Sequence, residues 1–301
     1  MSRGEVPGSP PGGADPAPGP RPTGDADLVR AADPASGPRP TGDADLVRAV
    51  DPGPGRGAVP DLAAVWEHHA RWWQEGFTEG ADVEYSEQIL PLAAEQLAGA
   101  DRVLDVGCGE GQVARLAADG GATRVVGLDA SAAQIGEARR RGGGPAYVQG
   151  SATALPVRSG WWDAVVACLV LEHVEDLDRA LDEVARALRP GGRFVLLLNH
   201  PLFQTPGSGW IDDRVLEPPE QYWRVGPYLE EGVTVEEVDT GVRLPFFHRP
   251  LGRYVNALAD RGLFLTRMVE PAPPARFLAL APEYRDAATI PRLLVLRAER
   301  R

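Results

Sequence analysis

The run Val103-Leu104-Asp105-Val106-Gly107-Cys108-Gly109-Glu110-Gly111 decides the fold of this chain. An apolar strand ends in an acidic residue. A Gly-x-Gly-x-Gly turn follows, and an amphipathic helix opens with Val113, Leu116 and Ala117. Glycines at such a turn let the backbone pass close to a ligand with no Cβ in the way. A bare glycine loop can also be a plain packing turn. The same loop could open a dinucleotide-binding unit, but that fingerprint wants Gly-x-Gly-x-x-Gly, and position 112 is Gln.

Outward from this run, strands alternate with helices. Spacing predicts strands at 103–106, 125–128, 146–149, 164–170 and 194–198, and helices at 111–118, after Ser131-x-x-Gln134, and along Leu177, Leu181, Val184 and Leu188. Two further strands are expected at 263–268 and 292–296, behind a helix at 250–261. The alternation predicts an α/β fold: a Rossmann-like, doubly wound, mostly parallel seven-stranded sheet. Residues 61–98 read as a helical N-terminal cover, with Trp66, His69, Trp73 and Phe77 as a core stripe. Residues 199–250, rich in Pro, Gly and aromatics, read as a substrate lid inserted after the fifth strand.

Composition sets further bounds. The first sixty of the 301 residues hold 13 of the 29 prolines and 11 of the 35 glycines, and no aromatic residue, too little to offset the entropy of ordering. Residues 1–58 are therefore expected as a disordered tail before a folded domain at 59–301. Gly19–Ala31 recurs in the tail as Gly37–Ala49, a duplicated segment or a short partner-binding motif. Two copies are too few for a solenoid. A net charge of −12 argues against nucleic acid as a partner. No apolar run is long enough for a membrane span or a signal peptide. Only Cys108 and Cys168 are present, both within motifs. A cytoplasmic protein is expected from these features together.

Three more motifs lie in order behind the glycine loop. Asp129 closes the second strand, 22 residues after Gly107. An acid there can accept from two ribose hydroxyls, and Asp-Ala-Ser is also a good helix cap. Gly150-Ser151-Ala152 follows the third strand. Trp162-Asp163 opens the fourth strand, which runs on to Leu171-Glu172-His173-Val174, and Leu188-Arg189-Pro190-Gly191-Gly192 precedes the fifth.

Taken together, these motifs resemble those of class I S-adenosylmethionine-dependent methyltransferases of the bacterial small-molecule type. The resemblance covers residues 100–200 closely and 61–301 in outline. It implies S-adenosylmethionine as cofactor, with Gly107, Cys108, Gly109 and Gly111 around its methionine part and Asp105 meeting the ammonium. It further implies Asp129 at the ribose and Ala130 beside the adenine. Ser151 stands where the family usually has Asp, so a hydroxyl would read the adenine amino group, if Ser151 is not simply a turn residue. Ala152 would offer its N–H, and the carbonyl of Cys168 would accept from the ammonium.

The acceptor side is less legible. His200 follows the fifth strand, where ligands bind in such sheets, and could be a general base or a loop anchor. His173 and His248 are further candidates for catalysis. Arg249 could hold a carboxylate or serve a structural ion pair. Tyr85 could close over the methionine end. His68 and His69 point apart on a helix, so no metal site is expected. The expected reaction is methyl transfer to a small-molecule acceptor by in-line displacement. Its rivals are an NAD(P)-dependent oxidoreductase, a non-catalytic cofactor-binding protein, and an enzyme that methylates another protein. The oligomeric state is not legible.

Overall fold

A computed structural model describes residues 61–215, 217–218, 220–280 and 286–301. The expected tail and its repeat lie outside the described residues. The first helix, α1 (Leu62–Gly76), starts at Asp61, whose carboxylate accepts from the amides of Ala63 and Ala64. A π-helical turn at Tyr85–Ile89 runs directly into α2 (Leu90–Leu97); the Leu90 amide donates to the Tyr85 carbonyl five residues back, so the α-helical ladder is already interrupted where Pro91 lacks an N–H.

The sheet then builds by strand–helix alternation through β1 (Arg102–Val106), α3 (Gln112–Asp119), β2 (Arg124–Asp129), α4 (Ala132–Arg141), β3 (Ala146–Gln149) and β4 (Trp162–Cys168). A 3₁₀ turn at Leu171–His173, α5 (Leu177–Ala187) and β5 (Leu188–Asn199) follow. The helix starts are encoded locally. Ser131 Oγ accepts from the Gln134 amide, and Asp176 from the Arg179 amide. The fourth strand ends two residues earlier than its apolar run suggests. Leu169 takes φ +56° and turns the chain out of the sheet, so Leu169 and Val170 become wall rather than strand.

Residues 199–250 fold as two hairpins, β6 (Gly209–Asp213) with β7 (Glu220–Arg224), and β8 (Gly232–Asp239) with β9 (Val242–His248). The chain closes with α6 (Leu251–Ala259), β10 (Leu263–Val269), α7 (Ala275–Leu280) and β11 (Leu293–Arg300). Seven strands form one sheet in the order β10-β11-β5-β4-β1-β2-β3. β11 alone runs antiparallel, to both β5 and β10.

Strand residues divide by alternation between two cores. Leu104, Val165, Ala167, Leu196 and Leu294 face α5 and α6. Val103, Ala164, Val166, Val195 and Val295 face α2, α3 and α4. Both faces are covered, which explains the unbroken apolar runs of β4 and β5. The strand order reverses between β1 and β4, and a crevice opens at the carboxyl ends of those strands. No helix among the described residues is long and apolar enough to cross a membrane.

Candidate active site

The loop after β1 is pinned by its own backbone. The amides of Gly107 and Cys108 both donate to the carbonyl of Leu128 on β2, at 2.7 and 2.9 Å. Two of its glycines are required sterically. Gly107 has φ +72°, and a Cβ there would sit 2.4 Å from a methyl of Val170. Gly111 has φ +89°, and its Cβ would meet the Tyr147 hydroxyl at 2.5 Å. A side chain at 107 would crowd Val170 in the crevice wall, and one at 111 would crowd Tyr147 behind the loop.

Beneath this cradle Asp105 is only 1% exposed. Its Oδ2 atom has no hydrogen-bond partner among the described residues. Burial, aided by the charges of Asp129 and Glu110, pushes its carboxyl up to about 8. Glu110, also buried, is held by Arg115 at 2.6 Å. An orphaned acceptor of this kind costs stability unless a donor arrives with a ligand.

Asp129 ends β2 on the other side of the crevice. Its Oδ2 accepts from the Gly109 amide at 2.9 Å and its Oδ1 from the Ser131 amide at 2.8 Å. Asp129 thus closes an Asx turn ahead of α4, whose cap is Ser131 and not Asp129, and its side chain still borders the cleft. Ser131 in turn donates to Glu67 on α1 at 2.6 Å, tying that helix across the crevice. Ser151 lines the crevice, but its hydroxyl lies 2.8 Å from that of Thr153 and accepts from the Thr153 amide, as in a local turn. Ala130, Ala152 and Cys168 also line it. Burial pushes the thiols of Cys108 and Cys168 up, so neither is a thiolate at neutral pH.

The resulting cleft has a volume of about 800 Å³ and gathers nine of the ten residues expected around a cofactor; Gly111 stands behind the loop, against Tyr147, and does not line it. Its roof is α1, through Leu62, Trp66 and Trp73. The stripe read as core thus supplies two of its four residues to the cleft wall, because α1 lies across the crevice mouth. Residues 200–250, expected as the cover of this mouth, contribute nothing to the larger cleft. A side chamber of about 50 Å³ adjoins it, sharing Trp66, Trp73, Tyr85, Leu169 and His173, and β8–β9 walls it with Val238, Leu244 and Phe246.

The three candidate histidines part company here. His173 lines both spaces, and its Nδ1 lies 2.8 Å from the carbonyl of Pro245. Burial pushes its imidazole down to about 4. His200 lines neither space. Its Nδ1 accepts from the Leu202 amide at 3.1 Å and its Nε2 donates to Glu270 at 2.8 Å, so both ring nitrogens anchor the chain after β5. His248 lines neither space, and its Nε2 donates to the Tyr228 carbonyl. Arg249 donates to the carbonyls of Leu171, Val174 and Glu175, clamping the turn that carries His173 instead of facing a ligand. Among the described residues no cluster of metal-ligating side chains occurs. Trp66, Trp73, Glu67 and Glu110 are cleft or cleft-supporting residues that sequence reasoning did not assign. The recurrence of Trp66 and Trp73 on one helix face was the available signal.

The donor set fits the cofactor implied by the motifs. A buried carboxyl with one orphaned oxygen lies under a glycine loop where a Cβ at position 107 would collide with the cleft wall, and a second acidic side chain stands across the cleft. A family model described as a methyltransferase domain matches residues 104–196. The malonyl-[acyl-carrier protein] O-methyltransferase of Enterobacter lignolyticus is 42% identical over 91 residues, covering 30% of this chain and 36% of that protein. A demethylmenaquinone methyltransferase of Beutenbergia cavernae is 40% identical over 96 residues, covering 32% and 40% of the two chains. The match thus spans well under half the length of these two curated relatives. An S-adenosylmethionine dependent methyltransferase from Mesorhizobium loti has a solved structure that superposes with a TM-score of 0.62 at 30% identity, covering 73% of this chain and 98% of that one.

Proposed function

The chain belongs to the S-adenosylmethionine-dependent methyltransferases, and on that premise we propose that it transfers a methyl group to a small-molecule acceptor by in-line displacement. The observation that carries the reading is the buried Asp105 Oδ2 atom, left without a partner beneath the glycine cradle. An ammonium group supplies the donor that this oxygen lacks. Asp129, which borders the cleft at the end of β2, takes the ribose hydroxyls. The amides and carbonyls around Gly107, Gly109, Gly111 and Cys168 hold the methionine part, while Ala130, Ser151 and Ala152 border the adenine. S-adenosylmethionine, once bound, supplies a methyl group on an electrophilic sulfonium.

The remaining work is alignment and exclusion of water. Trp66, Trp73 and Tyr85 enclose the end of the cleft that adjoins the side chamber. His173 is the preferred proton acceptor there, because it alone of the three candidate histidines borders both spaces. A small molecule is the substrate class that an enclosed chamber of about 50 Å³ supports. The two unpaired, buried cysteines support a reducing compartment, the cytoplasm.

Calorimetry with S-adenosylmethionine, S-adenosylhomocysteine and NADH tests the reading. Micromolar binding of the first two with none of the third is the expected result. Binding of NADH alone would overturn it in favour of an oxidoreductase.

A further inference from the structure

The space where the cleft meets the side chamber is walled by flat rings drawn from four distant segments. Trp66 of α1 meets the His173 ring edge-on, with 5.0 Å between centroids. Phe246 of β9 lies 4.5 Å from the same ring, tilted by 55°. From the third side Tyr85 turns its ring at 88° to Trp73, 6.0 Å away. Aromatic edges and faces favour other aromatic rings beyond what burial of equal area gives a saturated body.

The chamber behind this junction is too small to be the whole acceptor site. At about 50 Å³ it holds a substituent of a few atoms. One water needs roughly 10–15 Å³ by the same measure. The acceptor's body therefore sits on the cleft side of the junction, against Trp66, Trp73 and Tyr85, with Phe246 lining the chamber behind it. The Nε2 atom of His173 has no hydrogen-bond partner among the described residues, since Nδ1 carries the proton toward Pro245. A neutral buried imidazole is a weak base. It suffices for an aryl hydroxyl, which ionises near pH ~10 as tyrosine does. An alkyl hydroxyl resembles water and holds its proton far more tightly.

We propose that the acceptor is a single planar aromatic ring bearing a hydroxyl directly on the ring, seated at this junction with the hydroxyl toward His173 Nε2 and a small substituent in the chamber. This rests on the methyl-transfer reading above. In the step, the hydroxyl oxygen forms a bond to the methyl carbon as the carbon–sulfur bond breaks. That bond's electron pair returns to sulfur, neutralising the sulfonium, and the hydroxyl proton passes to His173 and then to water. The products are the aryl methyl ether and S-adenosylhomocysteine.

The test uses the full chain saturated with S-adenosylhomocysteine and titrated in a calorimeter with 4-methylphenol, 4-methylcyclohexanol and benzyl alcohol. The same three compounds are then incubated with S-adenosylmethionine and the products read by mass spectrometry. The expected result is at least tenfold tighter binding of 4-methylphenol than of its saturated counterpart, with only the phenol methylated. Val238→Phe fills the chamber, and should weaken 4-methylphenol tenfold or more while sparing phenol and S-adenosylhomocysteine. Leu244→Phe does the same from the facing strand should the first variant not fold. Equal or tighter binding of the saturated compound, methylation of benzyl alcohol instead of the phenol, or no phenol binding to protein that binds S-adenosylhomocysteine would each overturn the proposal. Failure of the wild-type chain to bind S-adenosylhomocysteine would overturn the cofactor reading itself, and this inference with it.

Discussion

His173 donates its Nδ1 proton to the carbonyl oxygen of Pro245, 2.8 Å away. A carbonyl can only accept, so this contact fixes the tautomer and leaves Nε2 as a lone pair. Pro245 belongs to β9 and His173 to the turn after β4, so the inserted hairpin sets the chemical state of a residue at the sheet's end.

Replacing His173 by Ala should lower turnover by about 10²-fold or more if Nε2 takes the acceptor's proton. A substrate supplied already ionised should recover much of the loss. Because burial holds the imidazole down at about 4, activity should show no loss from protonation of this residue between pH 8 and 5.5. An inflection near the ordinary histidine value of ~6.5 would contradict the assignment.

Asp105 should release a proton when S-adenosylmethionine binds. Burial holds its carboxyl up at about 8, so the free protein carries it protonated at pH 7, and an arriving ammonium favours the carboxylate. Affinity should therefore rise with pH toward 8, and calorimetry in buffers of different ionisation enthalpy should detect the released proton. Asp105→Asn should abolish both effects.

The same raised carboxyl, with that of Glu172, which burial holds at about 7, contributes to ligand-free stability with one sign. The folded state binds these protons more tightly than the unfolded chain does. Their contribution is fully present below pH ~4 and is lost as pH rises through 7 and 8. The melting temperature of the ligand-free protein at pH 8 relative to pH 5.5 should therefore be lower in the wild type than in Asp105→Asn, and equal pH dependence in the two would contradict the raised carboxyl.

Asp129→Ala should weaken S-adenosylmethionine by roughly 1–3 kcal/mol, because hydrogen bonds to a charged acceptor are lost. The Gly109 and Ser131 amides lose their acceptor in the same variant, so the melting temperature should fall too. Unchanged affinity in a calorimetric titration would remove Asp129 from the cofactor site.

His200→Ala should cost stability rather than turnover. Both ring nitrogens are engaged, with Leu202 and Glu270, and loss of a buried partner costs about 1–3 kcal/mol. Normal melting with a hundredfold loss of turnover would restore His200 as the base.

Gly111→Ala should be costly on two counts, a positive φ and a Cβ 2.5 Å from the Tyr147 hydroxyl. A loss of several degrees in melting temperature together with weaker cofactor binding is expected. A variant with wild-type melting and affinity would mean that the cradle tolerates a side chain.

Much of this molecule is legible along the chain because its signals are local. The Asp105–Gly111 run, the acid at 129, the caps at Ser131 and Asp176, and the apolar run of β4 each depend on a few neighbouring residues. From them follow the parallel sheet, its covered faces and the cofactor side of the cleft. The acceptor side has no such local code. Trp66, Tyr85, His173 and Phe246 are separated by up to 180 residues, and nothing in their spacing says that they meet. His200 and His173 look alike as candidates along the chain. They differ only in what surrounds the ring: a carboxylate and an amide that occupy both nitrogens in one case, and a single carbonyl from a distant hairpin in the other. Which nitrogen is free, and what faces it, depends on long-range packing, and that is why the catalytic candidate could be chosen only after the strands and hairpins were in place.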